Sequence, residues 1–257
     1  MKPARFDYAA PSSVSEALAL LDEESRPLAG GQSLVPMLNF RLARPARLVD
    51  LERVAGLDRL EADGDVLRIG AMARQAAVER SPVVAERWPL LRQALQLVGH
   101  PQIRSRGTVG GSVAHADPKA ELPVALTALD ARYHVRSSRG ARTVAAAELA
   151  VGPLMTTLAP DELLVEIEVP APPAGARSAF VEHARTHGDF AVAGAAAVIA
   201  PGHAAIVLLG AEPRPVRASE IEAAVLGGEA APDVDVADDY QRALLTELVR
   251  RAIEAAR

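Results

Sequence analysis

The sequence predicts an α+β fold, and three observations point to it. Strand and helix signals alternate in short pieces, with no heptad array or solenoid repeat. Two stretches with paired glycines, Gly30-Gly31 and Gly110-Gly111, interrupt those pieces. Beyond the run Ala171-Pro172-Pro173-Ala174-Gly175, the best linker in the chain, the pattern changes to apolar antiparallel strands closed by an amphipathic helix. The chain therefore divides into residues 1–173, with subdomains of about 1–52 and 53–173, and residues 174–257.

Taken in order, residues 6–11 read as a short strand stopped by a proline. Ser13 and Glu16 have capping-box spacing ahead of an apolar stripe at Ala17, Leu18, Leu20 and Leu21. Residues 26–29 are a buried strand entering the first glycine pair, 34–41 a short helix and 47–51 the next strand, together a small βαβ-like unit. In the second unit, 57–62 and 66–70 are strands around a turn at Asp63-Gly64-Asp65. Residues 74–79, 89–98 and 120–129 read as helices, and 131–135, 142–144 and 163–169 as strands. Residues 99–104 run into the second glycine stretch. In the last part, 178–184, 191–200 and 204–211 are three antiparallel strands, 219–226 a short helix and 240–256 a long one with Leu244, Leu245, Leu248 and Ile253 on one side. The Ala- and Val-rich run 191–211 resembles a membrane span. Pro201-Gly202-His203 breaks it into halves too short to cross a bilayer as helices. With no signal-peptide core at the N-terminus, the expectation is a soluble cytoplasmic protein without a transmembrane segment.

The composition narrows the function classes. At 257 residues, the chain can form one large domain or two to three subdomains with real cores. A formal net charge of -5 argues against the basic footprint that nucleic acid requires. The absence of cysteine excludes disulfides, thiolate catalysis and cysteine-held iron–sulfur clusters within this chain. Aromatic residues make up only 3%, so a flat ring ligand would find few stacking partners.

The glycine stretches carry the chemistry. Paired glycines let the backbone take φ > 0 and let a ligand approach the N–H groups. Ser33, Thr108 and Ser112 add hydroxyls. Consecutive free N–H groups make a concave anion site, and a helix beginning at residue 34 would point its N-terminus at the glycines. One such stretch is an ordinary tight turn; two in one chain point to a ligand with two phosphates, or a long ligand held at both ends. Neither stretch contains lysine, so N–H groups and helix dipoles would neutralise the anion, with Arg41 or Arg106 at longer range. No G-x-G-x-x-G follows an early strand, so a Rossmann dinucleotide site is not indicated.

Four motifs then occur in order: A-G-G-Q-S-L-V-P at 29–36, R-G-T-V-G-G-S-V-A-H-A-D-P at 106–118, E-L-P at 121–123 and H-G-D-F-A at 187–191. Together they resemble the medium, FAD-binding subunit of the molybdenum hydroxylases, the carbon monoxide dehydrogenase and xanthine dehydrogenase group, over essentially the whole chain. The resemblance implies a two-subdomain FAD-binding fold like that of vanillyl-alcohol oxidase (the PCMH type), followed by a C-terminal domain of antiparallel sheet plus helices. It implies that Ala29, Gly30, Gly31, Gln32, Ser33 and Leu34 from the first stretch, and Thr108, Val109, Gly110, Gly111 and Ser112 from the second, bind the pyrophosphate and ribityl of FAD. It places Asp117 and Glu121 as carboxylates near the cofactor, Leu158 as a residue packing on the flavin and Phe190 as an aromatic shield for its ring. It also implies partners: a large subunit with a molybdenum–pterin centre and a small subunit with [2Fe–2S] clusters, commonly as a dimer of heterotrimers. In that role the chain passes electrons and needs no catalytic acid or base of its own.

Plainer readings apply to several of these residues. His115, Asp117 and Glu121 match no trusted metal-ligand spacing, so no metal is expected. His183, Arg185 and His187 alternate as on a polar strand face. Asp189 can cap a turn or pair with Arg185. Phe190 by composition alone is a core residue. Ser33 lacks the G-x-S-x-G context of a hydrolase. Arg250 and Arg251 mark a solvated helix face. Two other functions fit the glycine stretches: a self-contained FAD-dependent oxidase or dehydrogenase, for which the chain is short, and a flavin-free structural subunit in which they are only turns.

Overall fold

The computed structural model describes all 257 residues. The first unit contains β1 (Asp7–Ala9), α1 (Val14–Ala19), β2 (Ser25–Leu28), α2 (Leu34–Asn39) and β3 (Arg47–Asp50). Its strands form a sheet in the order β1-β3-β2 with both pairings parallel. Parallel neighbours need crossovers, and α1 and α2 supply them. The predicted capping box forms one residue wider than expected. Ser13 Oγ accepts from Glu16 N–H at 3.2 Å, but the Glu16 carboxylate reaches back to the N–H and hydroxyl of Ser12, at 2.8 and 3.0 Å.

The second unit is a five-stranded antiparallel sheet covered by helices. Its strands are β4 (Leu60–Asp63), β5 (Val66–Gly70), β6 (Arg132–Ser137), β7 (Gly140–Ala145) and, after a small hairpin of β8 (Ala150–Gly152) and β9 (Met155–Thr156), β10 (Leu163–Pro170). The order is β4-β5-β10-β6-β7. Between β5 and β6 run α3 (Gln75–Arg80), α4 (Pro82–Arg87), α5 (Pro89–Leu97), α6 (Pro101–Arg106), α7 (Val109–His115) and α8 (Glu121–Ala128), and α9 (Ala146–Leu149) follows β7. Helices α4, α5 and α6 each carry a proline in the first turn, which starts a helix well and cannot continue the one before. Helices α4 and α6, six residues each, are absent from the sequence expectation.

The second glycine stretch is not a loop. Gly110 and Gly111 lie in the first turn of α7, and Thr108 caps it by accepting Gly111 N–H on Oγ1 at 3.0 Å. Glycine is a poor helix former, so packing must favour it here. A Cβ at Gly110 would stand 2.6 Å from both Cβ and O of Ala71. The glycine allows α7 to seat on the chain leaving β5.

The third part holds β11 (Arg177–His183), β12 (Ala193–Ala200), β13 (His203–Leu209) and β14 (Val216–Arg217) as an antiparallel sheet in sequence order, with α10 (Ser219–Gly227) and α11 (Asp239–Ala255). Strands β12 and β13 turn at Pro201-Gly202, where Gly202 has φ +74°. Ala196, Val198, Ala205, Val207 and Leu209 join the main core with Trp88, Leu91, Leu122 and Leu126. The alternate residues Ala195, Ala197, Ile206 and Leu208 face Leu245, Leu248, Val249 and Ala252 of α11. Both faces of the hairpin are covered, so its strands are apolar throughout, and the run 191–211 imitates a membrane span. No helix in the structure is long and apolar enough to cross a membrane. Strand β11 ends at His183, so Arg185 and His187 sit in the following turn instead of on a strand face. Arg250 and Arg251 pair with Glu247 on the solvated face of α11.

A candidate cofactor-binding cleft

A cleft of about 1090 Å³ runs between the three parts of the chain. It exceeds the roughly 300–1,000 Å³ of most small-molecule sites and suits an extended ligand. Its lining comes from the end of β2 through α2, the chain after β5, α6 and α7, the start of α8, the β9–β10 connection and the turn after β11.

Residues 29–34 form one wall. Gly31 takes φ +72°, and the Gln32 side chain donates to Gly30 O at 3.1 Å, closing the turn on itself. The carbonyls of Gly31 and Ser33 accept from Val35 and Met37 as α2 begins. The N–H groups of Gly30 through Leu34 donate to no protein acceptor. Ser33 is the N-cap residue of α2, yet its hydroxyl makes no capping bond and stays free. Five consecutive unpaired N–H groups and a free hydroxyl beside a helix start form a site for an anion.

The second stretch plays a different part. The N–H groups of Val109, Gly110, Gly111 and Ser112 are engaged by Ala73 O, Ala71 O, Thr108 Oγ1 and Thr108 O, at 3.0, 2.9, 3.0 and 3.2 Å. Thr108 alone among the nominated residues of the second stretch keeps a free backbone N–H, so the run of consecutive free N–H groups expected of both stretches is present in the first only. The second positions the first. A Cβ on Gly30 would lie 2.2 Å from Arg106 O and 2.9 Å from Gly107 Cα, so the two stretches touch backbone to backbone. The glycine thus serves loop-to-loop contact, where the sequence suggested ligand approach. Arg106 O is itself held by Arg74, whose guanidinium also pairs with Glu52.

Fourteen of the fifteen residues the sequence nominated line this cleft: Ala29, Gly30, Gly31, Gln32, Ser33, Leu34, Thr108, Gly110, Gly111, Ser112, Asp117, Glu121, Leu158 and Phe190. Val109 does not; it is buried in the main core. Phe190 is 70% exposed at the rim, the only Phe, Tyr or Trp among the lining residues and not the core residue that composition suggested. Asp189 also lines the cleft; its N–H donates to Thr186 O at 3.1 Å, and its side chain makes no bond to Arg185. Arg41 and Arg106 are not in the cleft. Arg41 donates to Lys2 O, and Arg106 borders a separate, smaller hollow beside Asp50 and Glu52.

Sequence reasoning missed three groups. Arg26 and Arg44 line the cleft and donate only to the backbone oxygens of Ser25 and Arg41, so neither guanidinium is matched by a carboxylate. Gln75, 4% exposed at the start of α3, presses against Gly107, and its buried Oε1 has no donor. Nothing local marks these positions, because each is brought to the cleft by chain pairing elsewhere. Arg104 holds the adjoining wall: it binds Glu79 at 2.8 and 3.1 Å and the carbonyls of Val98 and Gly99 at 3.0 and 3.2 Å.

The electrostatics are mixed. Glu162 is held below the usual carboxylate range by its hydrogen bonds from Arg142. His115 is pushed down by burial. Glu121 is raised to about 8 by burial, with the neighbouring Glu182 and Asp117 adding to the rise. No group of three or more His, Cys, Asp or Glu is placed to hold a metal.

Free N–H groups, free hydroxyls, unpaired guanidiniums and one orphaned amide oxygen in a long cleft fit a phosphate-containing nucleotide cofactor, and define a cofactor-binding subunit. Comparison with known proteins makes the class specific. Residues 4–172 match the family described as the FAD binding domain in molybdopterin dehydrogenase. The 6-hydroxypseudooxynicotine dehydrogenase complex subunit alpha of Paenarthrobacter nicotinovorans is 39% identical, with 100% of this chain and 96% of that protein covered. Among solved structures, carbon monoxide dehydrogenase from Hydrogenophaga pseudoflava superposes with a TM-score of 0.92 at 38% identity, covering 100% of this chain and 98% of that one. Quinoline 2-oxidoreductase from Pseudomonas putida 86 gives 0.89 at 35% identity, covering 100% and 98%. The chain belongs to the FAD-binding medium subunits of the molybdenum hydroxylases.

Proposed function

We propose that this chain is the FAD-binding, electron-transferring subunit of a heteromeric molybdenum hydroxylase. The observation that carries the proposal is the run of five unpaired N–H groups at Gly30–Leu34, opening into a cleft of about 1090 Å³ lined from all three parts of the chain. These N–H groups and the Ser33 hydroxyl would receive the pyrophosphate. Thr108, Gly110 and Gly111 would act by holding α7 against the first wall, and Ser112 would offer its hydroxyl. Asp117 would meet hydroxyl or N–H groups of the ligand, Glu121 would lie against its polar atoms, and Leu158 and Phe190 would meet its apolar ring. The chemistry supplied when FAD is bound is uptake of electrons from a partner's [2Fe–2S] clusters and their release to an external acceptor. The protein binds the cofactor, orients it and screens it from water.

The same reading supplies the assembly: a large subunit with the molybdenum–pterin centre and a small iron–sulfur subunit, as a dimer of heterotrimers in the cytoplasm. It divides the chain near residue 173, with the FAD-binding part before and the C-terminal domain after. The absence of cysteine supports this division of labour, since cluster ligands must come from another chain. The test is a visible spectrum of the purified chain with added FAD. A flavin spectrum retained through gel filtration is expected; a colourless protein that takes up no FAD overturns the proposal.

A further inference from the structure

Glu121 opens α8 and lines the cleft while only 7% exposed. No cation and no donor side chain acts on its carboxyl. Glu182 on β11 is its acidic neighbour, and Glu182 Oε2 is buried without a hydrogen-bond partner. Glu121 thus has only its own backbone N–H at the start of α8 as a donor, Glu182 Oε2 has none, and no cation faces either carboxyl group. Burying one unpaired carboxylate is strongly unfavourable, and a second beside it is worse.

The surroundings supply no cation. Helix α8 packs against α5, α7, α9, β12, β13 and β14. From α7 comes His115, kept toward its neutral form by burial. In the α7–α8 turn, Asp117 accepts Lys119 N–H at 2.8 Å, and the Lys119 ammonium is engaged by Val192 O at 2.8 Å. The α5 side contributes the neutral Gln93, which donates to Ser178 O and accepts from Phe180 N–H, while Arg92 is exposed. Beside Glu182, β12 and β13 present Gly194 and Leu209. Arg217 of β14 is paired with Asp130 and Glu222, and Glu148 of α9 and His183 of β11 are exposed.

We propose that Glu121 is protonated at neutral pH and presents a hydroxyl donor to an acceptor oxygen or nitrogen of the bound FAD, with Glu182 as the positioning residue that keeps it so. This rests on the FAD reading of the cleft. It reverses the role expected of Glu121, which as a carboxylate could only accept. The direction agrees with the burial: desolvation raises Glu182 to about 7 and Glu121 to about 8.

Two measurements on the full chain test the pair. The first is infrared absorption without FAD. A protonated-carboxyl band is expected at pH 7, lost between pH 7 and 9, and diminished in Glu121→Gln. In Glu182→Gln the Glu121 band should titrate at lower pH, because the neighbouring carboxylate is gone. The second is the FAD dissociation constant from pH 6 to 9. If one proton is linked to binding, affinity should fall toward tenfold per pH unit above about 8. Glu121→Gln keeps a donor that cannot ionise, and its affinity should be flat with pH. The wild-type band and profile need no variant, so a misfolded substitution does not remove the test. No protonated-carboxyl band at pH 7, or an unchanged pH profile in Glu121→Gln, overturns the proposal. A chain that shows the band but binds no FAD at any pH overturns the cofactor reading instead.

Discussion

A methyl group on Gly30 has no space to occupy. Its Cβ would stand 2.2 Å from Arg106 O, about 1.2 Å short of the 3.4 Å at which ordinary contact begins. The obstacle is backbone on both sides. Arg106 O is fixed by Arg74, and Arg74 by Glu52, so the second stretch cannot swing away freely. In Gly30→Ala the first stretch must therefore retreat by about an ångström, and overpacking of this kind costs about 1–3 kcal/mol. The displaced segment is the one carrying the five free N–H groups. Their aim at the anion should be lost, and FAD affinity should fall at least tenfold, measured by quenching of flavin fluorescence. Circular dichroism should show the secondary structure intact. Gly64→Ala is the control. Gly64 has φ +54° with nothing within 4 Å of the new Cβ, so that variant carries backbone strain of about 1 kcal/mol without a clash and should bind FAD normally. If Gly30→Ala binds FAD as tightly as the wild type, the two stretches need not touch, and the argument that one positions the other is wrong.

Other expectations follow from single residues. Arg104→Ala strands Glu79 in a largely buried site and frees the Val98 and Gly99 carbonyls; a loss of about 3–5 kcal/mol in urea unfolding is expected, with weaker FAD binding because Val98 and Gly99 line the cleft. Trp88, fully buried and the only tryptophan, donates Nε1–H to Pro170 O at 2.9 Å; Trp88→Phe should cost about 2–4 kcal/mol by circular dichroism, and a loss under 0.5 kcal/mol would refute its place in the core. Gln75→Met removes a buried oxygen without a donor, so stability should hold or rise while FAD affinity falls severalfold; unchanged affinity would show that the amide faces no ligand group. Glu121 makes stability depend on pH. Its folded pKa of about 8 lies above the ordinary carboxylate value, so the native state binds the extra proton between about pH 4.5 and 8. Stability is greatest below that window and falls as pH rises through it, and Glu121→Gln should remove the fall of the urea midpoint above about pH 7, leaving the part below it that Glu182, raised to about 7, contributes.

The sequence by itself determined most of the elements and the family. Periodicity located α5, α8, α11, β5, β10 and the β12–β13 hairpin, because in each a stripe or run of apolar residues must be buried wherever it is built. Of the fifteen residues the family resemblance nominated, fourteen line the cleft. What periodicity could not show is what a glycine is for. Gly30-Gly31 and Gly110-Gly111 look alike in composition, and only the tertiary structure separates them. One pair leaves its N–H groups free; the other lies inside a helix with its N–H groups engaged, because Ala71 and Thr108 happen to be their neighbours. The same holds for Gln75 beside Gly107 and Glu182 beside Glu121, and for Arg26 and Arg44, which share the cleft with residues from other parts of the chain. Local sequence sets which backbone conformations and buried faces are available. Burial, unmatched charge and contact between glycine backbones are properties of surroundings that form only when distant segments meet. The stretch 29–34 was legible as a turn able to hold an anion; that it holds five free N–H groups against a fixed Arg106 carbonyl was decided by the fold.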